Sequence, residues 1–94
     1  MQPKESQIII GRFFEALDGI IESEKIGGVD PYCKYHKIDK RNLYKQRKDH
    51  NLGYFKVSWM VPLVRYYGIN PRWLLTGKGR MMKIINDKHN TKDE

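Results

Sequence analysis

Apolar side chains at Ile10, Phe13, Phe14, Leu17, Ile20 and Ile21 recur in steps of three and four, which places them on one face of an α-helix. A face this long needs other elements to cover it, and 94 residues leave room for one hydrophobic core. The helix is expected from about Gln7 to Lys25, with Ser6 as its N-cap and Gly27-Gly28 as its stop. Apolar residues make up 39% of the chain and charged residues 31%, a balance that folds and is too apolar for disorder throughout.

The rest of the chain is cut into short helices by caps, prolines and glycines. Asp30-Pro31 reads as an N-cap followed by a proline that loses no hydrogen bond in a first turn, opening a second helix of about seven residues with Tyr32, Cys33 and His36 inward. Asp39 caps a third, Lys40 to about Lys48, whose strong apolar residue is Leu43. After a His50-Asn51-Leu52-Gly53 loop, a fourth helix is expected from about Val57 to Tyr67, capped by Ser58 and apolar on so many sides that burial all round is implied. Gly68 closes it. Asn70-Pro71 repeats the cap-and-proline device for a single-turn fifth helix, ended by Thr76-Gly77, with Trp59 and Trp73 in the core. No strand pattern, repeat or low-complexity tract stands out, so the fold class expected is all-α.

Eighteen Lys and Arg against eleven Asp and Glu give a net charge of +7. Residues 34–49 alone hold seven basic and two acidic side chains, inside the structured part of the chain, so the charge forms a surface patch rather than a tail. Anionic partners follow: nucleic acid first, an anionic membrane surface second. No apolar run approaches the roughly 18 residues that span a bilayer, and the polar face of the first helix is too acidic for a membrane-surface helix. The expectation is a cytoplasmic protein with no membrane partner.

Chemistry beyond binding finds little support. Cys33-x-x-His36, with His50 and His89 elsewhere, lacks the paired ligands of a structural zinc site, and Cys33 has no base and third member to make it a nucleophile. Gly77-Lys78-Gly79 lacks the strand and spacing of a phosphate loop. No catalytic residue, metal or cofactor is expected, and the chain is not read as an enzyme.

Two short helices joined by a tight turn, the second basic and capped by Asp39, followed by a buried helix and by Gly68-Ile69-Asn70-Pro71-Arg72-Trp73-Leu74-Leu75-Thr76-Gly77-Lys78-Gly79, resemble the phage-repressor (lambda/Cro/Xre-like) helix-turn-helix superfamily over roughly residues 9–82. The resemblance implies a compact five-helix, lambda-repressor-like DNA-binding domain. Cys33 falls where the family takes a small residue, while Tyr32, Ile38 and Leu43 match apolar positions. Three positions depart from the pattern. Lys37 stands where glycine is common, Gln46 where the recognition helix buries an aliphatic residue, and Val29 where a polar residue often opens the second helix.

The family alignment implies base contacts from Lys40, Arg41, Tyr44 and Lys45, and phosphate contacts from Lys34, Arg47 and Lys48. It implies sequence-specific binding of double-stranded DNA by a transcriptional regulator that inserts its third helix into the major groove, as a possible homodimer through Met81, Met82, Ile84 and Ile85. The plain alternative for the basic stretch is a solvated face, and Tyr44 has the equal alternative of covering the thin apolar side of its helix. The alternative function is a protein-interaction adaptor, antitoxin-like or a phage accessory factor, using the fold without reading bases. RNA binding ranks third, since an aromatic sheet platform needs strands. Residues 1–6 are expected to be a flexible N-terminus, 7–82 the DNA-binding domain and 83–94 a tail that is partly disordered.

Overall fold

The computed structural model describes residues 3–82. Among them the chain is mostly helical: α1 (Lys4–Glu22), α2 (Val29–His36), α3 (Lys40–Lys48), α4 (Val61–Tyr66) and α5 (Pro71–Thr76), with a 3₁₀ turn at Val57–Trp59 leading into α4. The α1 face set out by the spacing of its apolar residues is the floor of the core: Ile10, Phe13, Phe14, Leu17 and Ile20 are buried. α1 begins three residues earlier than the sequence suggested, after Pro3, so Ser6 lies inside the first turn and Lys4, Glu5 and Ser6 belong to the helix rather than to a loose terminus. It also ends earlier. Glu24 takes a left-handed conformation (φ 60°), and the amides of Glu24 and Lys25 donate back to the carbonyls of Ile21 and Ile20, closing the helix before the glycine pair is reached.

Phe13 occupies the centre of the core, with its ring edge-on to those of Phe14, Tyr32 and Phe55 at centroid distances of 4.9, 6.4 and 5.5 Å. Such edge-to-face contacts set the ring's positive rim against a neighbour's negative face. Tyr32 is buried with its hydroxyl donating to the Trp59 carbonyl at 2.7 Å, so the phenol brings no unsatisfied group inside. Burial pushes its pKa far above the ordinary range. Cys33, the next residue, is buried as well, and burial raises its thiol pKa.

α2 starts at Val29 rather than after Asp30, with Gly28 preceding it and no side-chain cap. Pro31 still costs nothing, because the first four amides of a helix have no partner within it. Asp30 is thereby released from capping its own helix. In the fourth segment Pro62 lies in the first turn of α4, and the residues ahead of it form the 3₁₀ turn with no cap from Ser58. The uniform burial expected there fails. Trp59, Pro62 and Leu63 are buried, but a six-residue helix covers little, and Val57, Val61 and Tyr66 stay exposed, Val57 by 69%. With the exposed Leu75 of α5, the two valines rim an apolar groove.

α5 follows the sequence reading closely: the Asn70 side chain accepts from the Arg72 amide at 3.0 Å, and Gly77 ends the helix left-handed at φ 80°. A Cβ at Gly77 would lie 2.6 Å from Nη2 of Arg12, whose other terminal nitrogen donates to the Leu74 carbonyl at 3.3 Å. The positive φ is what calls for glycine there, since the Arg12 side chain could shift away from a Cβ. Beyond α5 the chain returns to the domain, where the Asn70 amide donates to the Met81 carbonyl and Ile69 pairs with Met82 in an antiparallel bridge. The methyl groups of Met81 and Met82 lie over Gly19 of α1. Both methionines are partly buried and pack against their own core. Ile84 and Ile85 lie outside the described residues.

Candidate nucleic-acid interface

The three residues between α2 and α3 determine how the basic helix is presented. Lys37 is left-handed, at φ 57° and ψ 47°, in the position where glycine would be at ease. That conformation costs a residue with a Cβ about 1 kcal/mol. The bend it makes lets the Ile38 amide donate to the Cys33 carbonyl at 2.9 Å while Ile38 packs against the core. Asp39 then caps α3, its carboxylate accepting from the Asn42 amide at 3.2 Å. The start of the helix is fixed by a side chain, and with it the placing of Lys40 and Arg41 in the first turn.

The inward side of α3 consists of Leu43 and Gln46, both with 0% exposure. A glutamine in that place is not a register fault. Its Nε2 donates to the carbonyls of His50 and Leu52 at 2.9 and 2.7 Å, and its Oε1 accepts from the amides of Tyr54 and Phe55 at 2.8 and 2.9 Å. Two amide hydrogens and two acceptor sites are all used. One side chain therefore holds the loop that follows α3 against the helix, which an aliphatic residue could not do.

With Leu43 and Gln46 inside, a 100° step per residue sends Arg41, Tyr44, Lys45 and Lys48 outward. All four are exposed, as are Lys40 on α3 and Lys34 on α2. Arg41, Lys48 and Lys34 have no ion-pair partner among the described residues. The Lys45 ammonium lies 5.6 Å from the centre of the Tyr54 ring, on the loop that Gln46 secures. Arg47 goes elsewhere. It forms an ion pair with Asp18 of α1 and lies over the Phe14 ring at 5.5 Å, so the residue expected to meet a phosphate ties α3 to α1 instead. His50 stacks on the same Phe14 ring.

Asp30 has a role here that its own helix does not announce. Its Oδ2 receives Lys40 Nζ at 3.4 Å and its Oδ1 the Tyr44 hydroxyl at 3.0 Å, so one carboxylate of α2 engages two of the four residues expected to read bases. By accepting its hydrogen bond, that carboxylate raises the Tyr44 phenol's pKa above the ordinary value. Tyr44 therefore does not cover the helix's apolar side. The only local signal was an acid in a first turn ten residues ahead of Lys40, which reads equally well as a cap.

Among the described residues no group of three or more His, Cys, Asp or Glu side chains is placed to hold a metal ion. The ring Nε2 of His36 is 2.9 Å from the Tyr67 hydroxyl and the ring stacks on Tyr66, and burial lowers its pKa. Among the described residues no helix is long and apolar enough to cross a membrane. The face as a whole offers guanidinium and ammonium donors for oxygen acceptors, whether base edges or phosphates, with a phenol among them. Comparison with family models, with curated proteins and with solved structures returns no significant match.

Proposed function

We propose that the protein is a sequence-specific binder of double-stranded DNA, a transcriptional regulator of the phage-repressor helix-turn-helix kind, acting in the cytoplasm with α3 laid in the major groove. One observation carries the reading: Arg41, Tyr44, Lys45 and Lys48 project from a helix whose opposite side is locked down by Leu43 and Gln46. A capped, buried-backed rod with an outward cationic row suits a groove lined by phosphates and base acceptors. Arg41 and Lys45 are assigned to bases such as guanine, and Lys34 and Lys48 to phosphates. Lys40 and Tyr44 reach bases only after leaving Asp30.

The test is selection of bound sequences from random duplex DNA, followed by affinity measured over a salt series on the recovered site. With Arg47 withdrawn, Lys34 and Lys48 remain as phosphate contacts, and the logarithm of the association constant is expected to fall against log salt with a slope near −2. Salt-independent affinity, or no enriched sequence, overturns the proposal. The exposed groove rimmed by Val57, Val61 and Leu75 favours a second reading, an adaptor that docks on another protein. Replacing Arg41 and Lys45 together by alanine separates the two: it abolishes sequence preference under the first reading and leaves partner binding intact under the second.

A further inference from the structure

We propose that Asp30 is a specificity-determining residue of the α3 face, holding Lys40 and Tyr44 in the free protein and releasing them to base edges but not to phosphates, so that binding to arbitrary DNA is suppressed. The inference rests on the duplex-binding role proposed for α3. Lys40 and Tyr44 are one helical turn apart, and both end on a single carboxylate projected from α2. The ion pair is exposed on both sides, the Lys40 side chain by 54% and that of Asp30 by 60%, so no buried charge obliges it to exist. An exposed pair of this kind contributes little to folding and opens readily.

The consequence for a ligand follows from charge. A phosphate approaching Lys40 meets the Asp30 carboxylate within a few ångströms and is repelled, which cancels the attraction that non-specific binding lives on. A base edge carries no net charge. Guanine O6 and N7 accept from an ammonium, while the cytosine amino group donates to a carboxylate, so a base pair can replace both halves of the ion pair where a phosphate satisfies one and is repelled by the other. Specificity of this type is gained by penalising the wrong ligand. Lys34, Arg41 and Lys48, which have no acid partner among the described residues, supply the attraction that the proposed latch withholds.

The experiment compares wild type, Asp30→Asn, and Glu5→Gln, which removes the same charge from the exposed start of α1, near α5. Each is titrated with a random-sequence duplex and with the duplex enriched by selection, and the Tyr44 phenol is titrated by NMR without DNA. Asp30→Asn is expected to bind the random duplex about tenfold tighter, with a salt slope steeper by about one. Its affinity for the selected duplex should rise much less, so the ratio between the two falls, while Glu5→Gln leaves that ratio unchanged. In the free protein, Tyr44 should titrate at lower pH in Asp30→Asn. An equal gain on both duplexes, or the same fall in ratio from Glu5→Gln, overturns the proposal as a general charge effect. An unmoved Tyr44 titration overturns the latch itself. If Tyr44 moves but neither protein binds any duplex, the DNA-binding role fails and the discriminating role of Asp30 falls with it.

Discussion

Replacing Gln46 by leucine exchanges a saturated buried amide for an apolar side chain of similar size. The carbonyls of His50 and Leu52 and the amides of Tyr54 and Phe55 lose their partner at once. Tyr54 is exposed, whereas His50, Leu52 and Phe55 are half-buried. Counting two of the four groups as stranded, at about 2 kcal/mol each, gives a loss of about 4 kcal/mol. Burying leucine returns about 2 kcal/mol of transfer free energy, for a net destabilisation of about 2 kcal/mol. In a domain of this size that corresponds to a fall in Tm of roughly 8–16 °C. Thermal and denaturant unfolding measure the total, and amide hydrogen exchange finds its origin: Tyr54 and Phe55 should lose protection in Gln46→Leu. Gln46→Glu keeps an acceptor for those two amides while repelling the two carbonyls, so protection at Tyr54 and Phe55 survives in it despite a lower Tm. A leucine variant as stable as wild type, with both amides still protected, would refute the hub.

Two further outcomes follow from single residues. Lys37→Gly removes the cost of a left-handed Cβ and should stabilise the domain by about 1 kcal/mol, less whatever the glycine loses in the unfolded chain, and denaturant midpoints check it. A lower midpoint would show that the turn does not hold that conformation in solution. His36 carries a pKa lowered by burial, so the folded state binds fewer protons than the unfolded state, and stability declines as pH falls through about 6.5, the ordinary imidazole value. Comparing unfolding free energies between pH 7.5 and 5.5 for wild type and His36→Phe, which keeps a ring on Tyr66, should show a shallower slope in the variant. Equal slopes would place the titration elsewhere.

What was readable in the chain and what was not divide along a physical line. The core face of α1, the Asp39 and Asn70 caps and the stop at Gly77 are all consequences of residues within a few positions of one another, and each appears where the local pattern put it. Boundaries slipped where two local devices competed. Glu24 closed α1 ahead of the glycines, and the Asp30 carboxylate reached another helix instead of capping its own. The long-range polar pairs were invisible: Asp30 with Lys40 and Tyr44, and Asp18 with Arg47, are brought together by the packing of whole helices, which periodicity does not encode.

Those pairs change what the positive charge is available to do. Seven residues were expected to meet DNA on the strength of type and position alone, but a cation acts on a ligand only if nothing nearer satisfies it. Arg47 is bound at close range to Asp18 and lies over the Phe14 ring, so a phosphate would have to displace both contacts. Lys40 is engaged more loosely, at 3.4 Å in the open, and can be exchanged. Arg41 and Lys48 have no ion-pair partner among the described residues and Lys45 lies only near the Tyr54 ring, and the three fall along one side of a helix whose start Asp39 fixes and whose back Gln46 holds to its loop. The proposed affinity therefore resides in the uncompensated row and the proposed selectivity in the compensated residue beside it, which is why removing Asp30 and removing Arg41 with Lys45 should move sequence preference by opposite changes in charge yet in the same direction.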